Sequence, residues 1–209
     1  MHALIVVANP QPRSLTHALA CELAAGASEA GHSTDMADLA AEGFDPRFTA
    51  RDHAVHLSHE TPGNDVLAEQ ARIDRADVLV LVYPVYWWSF PALLKGWIDR
   101  VFTNGWAYAE PAGSPTVRKL GHLRVMLLAV GGAHQRTYAR HGYRDAMQVQ
   151  IAHGIFGYCG ARVVRSELLL PPGDGEDWAA HLDAARSIGG ALAQEDDAGG
   201  AWQSRQAVA

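Results

Sequence analysis

Three short windows of the chain gather groups able to hold or act on a small molecule. The first, Asn9-Pro10-Gln11-Pro12-Arg13-Ser14-Leu15-Thr16, offers an amide, a guanidinium and two hydroxyls just before an apolar helical pattern. Hydroxyls and free N–H groups at the positive end of a helix suit a phosphate, although Ser14 is also simply a favoured helix cap. The second, Pro84-Val85-Tyr86-Trp87-Trp88-Ser89-Phe90, holds four aromatic rings in five positions. Tyr and Trp combine flat faces with polar atoms, and on the rim of a sheet such a run suits a flat aromatic ligand better than a core. In the third, Val130-Gly131-Gly132 lets the backbone come close to a ligand and aim N–H groups at it. Tyr138, His141 and Tyr143 follow within a short distance as further donors. The first turn has no GxGxxG and the chain has no GxxxxGK[ST], so the usual nucleotide fingerprints are missing.

Apolar periodicity shows which elements must position these windows. Residues 3–8, ALIVVA, read as a strand buried on both faces. Ser14 then caps a helix with Leu15, Ala18, Leu19, Leu23 and Ala27 on one face, which Gly31 ends. A short strand is expected from His32 to Asp38, an irregular excursion over 39–63, and a helix from Asn64 to Ala76. VLVLVY at 78–83 is a buried strand, and Ser89 to Pro91 opens a helix to Val101 with Ser89 as a candidate cap. A loop over 104–116 leads to the strand LRVMLLAV at 123–130. A helix from Tyr143 to Tyr158, a strand at 161–168 and a helix from Glu176 to Gln194 complete one expected domain, residues 1–194. Residues 195–209 are expected to form a disordered tail. Alternating strands and helices imply an α/β fold of flavodoxin type, with a five-stranded parallel sheet in the order 2-1-3-4-5 and helices on both faces. Ligands in such sheets sit at the carboxyl ends of the strands, where all three windows fall.

Composition removes several alternatives. The seventeen uncharged residues between Asp77 and Lys95 fall short of the ~20 needed to span a bilayer and contain Pro84 and Pro91, so no membrane span is expected. A net charge of −6 disfavours nucleic acid as a partner. The start MHALIVVANP is not a signal peptide, and the two cysteines, Cys21 and Cys159, have no pairing or zinc spacing. Both are expected to be small buried residues, and a reduced cytoplasmic compartment is the default. His53, His56 and His59 recur every third residue, which does not put them on one helical face, so no metal site is read there. Leu93, Leu94, Trp97 and Ile98 read as core, and Lys95, Asp99 and Arg100 as solvated or interface charges.

ALIVVANPQPRSLT, YPVYWWSFPALLKGWIDRVF, NGWAYAE, LLAVGGAHQRTY and IFGYCG resemble the NAD(P)H:quinone oxidoreductases of the DT-diaphorase and modulator-of-drug-activity type over about residues 2–170. The resemblance implies a homodimer with its active site at the interface, holding FAD, or FMN in some members, with NADPH or NADH as donor and quinone-like acceptors. It places Asn9, Arg13, Ser14 and Thr16 at the flavin phosphates and ribityl chain. Pro84, Val85, Tyr86, Trp87 and Trp88 would line the ring, and Val130, Gly131 and Gly132 would bring backbone N–H groups to its pyrimidine edge. The eukaryotic members carry histidine at Asn9, threonine at Val130 and a catalytic Tyr…His pair. Tyr138 matches that tyrosine, while the histidine position falls near Tyr143, with His141 two residues earlier, leaving both as alternatives. Two other functions share the same fold. A regulatory flavoprotein subunit docked on a transporter would show an exposed apolar patch and slow quinone turnover. A one-electron carrier would have less need of the aromatic turn and the 104–116 loop.

Overall fold

Apolar runs without polar alternation must be covered on both faces, and that requirement sets the architecture. A computed structural model of the chain describes residues 1–58, 60–171 and 178–194, with the backbone of 202–205. In chain order its first half comprises β1 (His2–Val7), α1 (Leu15–Glu29), β2 (Ser33–Asp38), α2 (Ala50–Ser58), α3 (Asn64–Asp74), β3 (Val78–Pro84) and α4 (Ala92–Val101). Two short strands, β4 (Tyr108–Ala109) and β5 (Val117–Arg118), precede β6 (Arg124–Val130) and α5 (Gln135–His141). Then come α6 (Tyr143–Met147), which runs into a π-helical segment (Gln148–Gly157), β7 (Arg162–Leu169), α7 (Ala179–Gly190) and β8 (Trp202–Arg205).

The main sheet is ordered β2-β1-β3-β6-β7-β8, with every pair parallel. Its first five strands give the expected 2-1-3-4-5 order. On one face, Ile5, Val80, Val82, Met126 and Leu128 pack against Leu19, Leu23, Ala27, Ala185 and Ile188 of α1 and α7. On the other, Leu4, Leu79, Leu81 and Leu127 meet Ile73, Leu94, Trp97, Ile98, Ile151 and Phe156. Each fully buried Val, Leu, Ile, Phe or Met side chain here contributes about 1.5–3 kcal/mol. α1 and α7 approach so closely that a Cβ on Gly26 would lie 1.9 Å from the Arg186 carbonyl oxygen, and one on Gly189 1.9 Å from that of Leu23.

Several expectations need correction. The 39–63 excursion contains α2, started by a capping box: Asp52 accepts from the Thr49 N–H (2.8 Å) and the Thr49 hydroxyl accepts from the Asp52 N–H (3.3 Å). Arg100 is not a solvated charge. It is buried on α4 and reaches Asp52 (3.2 Å), Asp65 (2.8 Å) and the Asp45 carbonyl (2.8 Å), fastening the excursion and the head of α3 to α4. Lys95 and Asp99 do pair at the surface, at 2.6 Å. Pro91, not Ser89, stands at the N-cap of α4, and the Ser89 hydroxyl donates to Gln150 instead (2.8 Å). The helix expected from Tyr143 becomes π-helical from Gln148, and a separate α5 precedes it across Gly142, whose φ of 66° permits the break. Cys159 is buried, which pushes its thiol up to about 11, whereas Cys21 is exposed. His56 is held by the Tyr108 hydroxyl (3.2 Å) and the Asp99 carbonyl (3.1 Å), while His59 lies outside the described residues. Of the helix expected over Glu176–Gln194, residues 179–190 are helical, 191–194 form turns, and 176–177 lie outside the described residues. The tail expected from residue 195 lies outside them too, except at β8, whose four residues pair with Ser166–Leu169 along the edge of β7.

Candidate functional site

β1, β3 and β6 are neighbours, so the three chemistry-bearing windows emerge side by side at their carboxyl ends. Val7 pairs with Val82 and Pro84 with Val130, and beyond the strands the Val85 N–H donates to the Val130 carbonyl at 2.8 Å. This rim is also where the connections out of β1 and β3 run to opposite sides of the sheet.

The aromatic window forms a tight two-residue hairpin. Tyr86 and Ser89 exchange both backbone hydrogen bonds at 3.1 Å, leaving Trp87 and Trp88 at the tip with φ of +50° and +59°. Positive φ at both central residues marks a type I′ turn, which normally takes Asn and Gly. A left-handed non-glycine residue costs on the order of 1–3 kcal/mol and persists only where its surroundings over-determine it. Trp88 turns inward, stacking on Tyr143 (3.7 Å between centroids, 12° between planes) and meeting Tyr138 edge-on (5.2 Å, 89°). His141 also stacks on Tyr143, with 5.3 Å between centroids and 29° between planes. Trp87 turns outward with 93% of its surface exposed, and Tyr86 is half exposed. Thus one tryptophan locks the turn and the other presents a bare face.

A cleft of about 170 Å³ opens beside this turn, lined by Val85, Trp87, Trp88, Gly132, Ala133 and Tyr138. The two glycines of the third window have different jobs. The Gly131 N–H donates to the Leu169 carbonyl (2.8 Å), so it belongs to the sheet and does not face a ligand. Its missing side chain makes room for Tyr138, whose hydroxyl would lie 2.6 Å from a Cβ there. At Gly132 a Cβ would meet nothing, and no hydrogen bond among the described residues uses its N–H or those of Trp87 and Trp88. Tyr138 is buried, which raises its phenol above the ordinary value and keeps it a donor at neutral pH. Tyr83 lies beneath the rim, fully buried with no partner for its hydroxyl among the described residues, and burial raises its phenol further.

At the first window, Ser14 caps α1 by accepting from the His17 N–H. Asn9 donates to the buried Thr16 hydroxyl (3.0 Å) and accepts from the Gln11 N–H (2.9 Å), so these two residues brace the turn against each other. Arg13 is exposed. The N–H groups of Leu15 and Thr16 have no acceptor among the described residues, as expected for the first turn of a helix. Sequence reasoning missed His17 and Asp38. The His17 ring meets Ser14 Oγ at 2.8 Å through Nδ1 and Asp38 at 2.9 Å through Nε2. The three-residue spacing from Ser14 to His17 was a usable signal, because such pairs share a helix face. Nothing local pointed to Asp38.

Residues 1–188 match the family described as having a flavodoxin-like fold, and the chain belongs to that family. Within it, the chain is 29% identical over 188 residues to a ribosyldihydronicotinamide dehydrogenase [quinone] of Pongo abelii, with 81% of each chain covered. It is 30% identical over 169 residues to an uncharacterized NAD(P)H oxidoreductase of Haemophilus influenzae, covering 80% of this chain and 83% of that one. Among solved structures, an NAD(P)H:quinone oxidoreductase from Methanothermobacter marburgensis superposes with a TM-score of 0.84 at 28% identity, covering 92% of this chain and 98% of the other. No helix among the described residues is long and apolar enough to cross a membrane, and none of their His, Cys, Asp and Glu side chains cluster so as to hold a metal ion.

Proposed function

We propose that this protein is a cytoplasmic flavin-dependent NAD(P)H:quinone oxidoreductase that transfers two electrons at a time to quinones or similar aromatic electrophiles. The observation that carries this reading is the strained Trp87–Trp88 turn, with its bare aromatic face beside a cleft at the ends of β3 and β6. The names of the relatives above support the same chemistry. The residues present fit a flavin, read here as FAD, with FMN as the alternative. Trp87 offers a flat face, the unused N–H groups of Trp87, Trp88 and Gly132 suit the polar edge of a ring, and the space beside Gly132 is open. Hydroxyls and N–H groups at the head of α1 suit its phosphates.

Held there, a flavin would supply two-electron hydride chemistry between NAD(P)H and the acceptor, in ping-pong order. The chain supplies geometry and electrostatics. The stack of Trp88, Tyr143 and His141 holds the turn rigid, so that its N–H groups need no reorganisation when charge develops on the ring. Tyr138 lines the cleft and keeps its proton at neutral pH, so it can donate there, while His141 and Tyr143 act through the stack that holds Trp88. A homodimer would cover Trp87 and Tyr86 and exclude water from the reacting faces.

The test begins with the absorption spectrum of the purified protein and the mass of the chromophore it releases. Stopped-flow mixing with NADH and with NADPH should bleach the flavin, and menadione should restore it. A colourless protein that neither FAD nor FMN reconstitutes, or a flavin that neither donor reduces, would refute the reading.

A further inference from the structure

Asp38, His17 and Ser14 form a hydrogen-bonded chain from the end of β2 to the head of α1, and its proton arrangement has a direction. The Asp38 carboxylate is fixed by the N–H groups of Ala40 (3.2 Å) and Ala41 (3.1 Å) on Oδ1, and its Oδ2 meets His17 Nε2 at 2.9 Å. A carboxylate can only accept, so Nε2 carries a hydrogen. In a neutral ring Nδ1 is then bare, and Ser14 Oγ, 2.8 Å away, must turn its single hydrogen towards it. The hydroxyl therefore presents lone pairs, not a hydrogen, to anything arriving at the free N–H groups of Leu15 and Thr16. This is the wrong polarity for an anion.

A proton on His17 reverses the chain. Both ring nitrogens then donate, Nε2–H to Asp38 and Nδ1–H to Ser14 Oγ. The serine oxygen accepts from this N–H and from the His17 backbone N–H, so its own hydrogen is released to point outward. A phosphate at the helix head accepts the hydrogen bond released in this form, and its negative charge stabilises the form. Among the described residues, Asp38 is the only charged group bonded to the ring. No acidic residue lies in the first turn of α1, Arg13 in the preceding loop is exposed, and Asp35 and Glu42 nearby are held by Arg72. Cys21, one turn further along α1, is exposed.

We propose that His17 is a proton-coupled positioning residue: a cofactor phosphate binds at the first turn together with one proton, taken from solvent onto His17 Nδ1. The inference rests on the flavin reading above and adds a regulation to it. Because the bound state favours the protonated ring, affinity is fully present on the acidic side and falls as pH rises, by up to about tenfold per pH unit for one proton.

The experiment is calorimetric titration of FAD into the full-length protein freed of chromophore, in phosphate-free buffers of different ionisation enthalpy between about pH 6 and 8, the range in which histidines titrate. The phosphodiester groups of FAD do not titrate there, and riboflavin serves as the phosphate-free control. Expected is net uptake approaching one proton with FAD and none with riboflavin. His17→Gln should abolish the uptake, weaken FAD about tenfold near neutral pH, flatten its pH dependence and leave riboflavin affinity unchanged. FAD binding without proton uptake, or uptake that survives in His17→Gln, would overturn the inference while leaving the flavin reading intact. Equal weakening of FAD and riboflavin by the variant would mark His17 as merely structural and overturn it as well. A protein that binds neither ligand would overturn the flavin reading, and this inference with it.

Discussion

The neighbouring glycines at the end of β6 should respond to alanine in opposite ways, and Gly131 allows the larger effect to be worked out. Its φ is not in the left-handed region, so alanine brings no backbone strain and any cost is steric. The new Cβ would lie 2.6 Å from the Tyr138 hydroxyl, 2.9 Å from Leu170 Cδ2 and 3.3 Å from Tyr138 Cζ. Ordinary contact begins near 3.4 Å, so the hydroxyl would have to move about 0.8 Å (3.4 − 2.6), carrying with it a ring packed edge-on against Trp88. Overpacking of this kind costs about 1–3 kcal/mol. For a chain of this size, about 2 kcal/mol lowers Tm by about 4–8 °C. Tyr138→Phe removes the atom in the shortest contact, so in that background Gly131→Ala should cost about half as much, a coupling that a double-mutant cycle by denaturant melts can resolve. If Gly131→Ala is equally destabilising with and without the Tyr138→Phe substitution, the hydroxyl contact is not the cause and the assigned role of Gly131 is wrong. Gly132→Ala meets no atom, so it should leave Tm within about 2 °C, the range expected for a site free of packing changes, while reducing flavin affinity.

Three further outcomes follow from the same structure. Trp87→Asn puts a residue that tolerates positive φ at an exposed, strained position, so it should raise stability by up to about 1 kcal/mol in thermal melts. Quinone turnover should fall in the same variant, and unchanged turnover would deny the Trp87 face a role. Burial raises the Asp52 carboxyl, but the Thr49 hydroxyl and N–H and the Arg100 guanidinium outweigh it, and its net shift is downward. Its contribution is therefore present above the unfolded value near 3.9 and lost as pH falls through the lower folded value. Asp52→Asn should destabilise the protein at pH 7 and flatten the loss of stability below about pH 4, measured by urea melts across pH. Gly189→Ala places a methyl group against the Leu23 carbonyl and should cost about 1–3 kcal/mol by forcing α1 and α7 apart, with little effect on flavin affinity.

The parallel sheet was legible because buried strands such as ALIVVA and VLVLVY have no polar alternation, and helix caps such as Ser14 lie next to the patterns they end. The site windows were legible for a related reason: strand ends in this topology converge, so unusual residues there fall together. α2 was missed although Thr49-Ala-Arg-Asp52 is a readable capping signal, because the polar composition around it suggested a loop. A charged residue on a helix, such as Arg100, usually reads as solvated. Only the tertiary fold, which brings Asp52 of the excursion and Asp65 of α3 over α4, supplied the acids that allow its burial.

Taken alone, the sequence pointed to the buried strands, the three windows at their ends and the aromatic character of the wall, since each depends on residues adjacent in the chain, whereas the sixth strand, β8, lay in what read as a tail. Tertiary structure decided which groups are free to act. It joined the Gly131 N–H to β7 and left that of Gly132 open, and it turned Trp88 inward and Trp87 outward. It also brought Asp38 to a histidine twenty-one residues away. Hydrogen-bonding capacity is local to each residue, but whether that capacity is already used depends on partners that only the folded chain brings within about 3 Å.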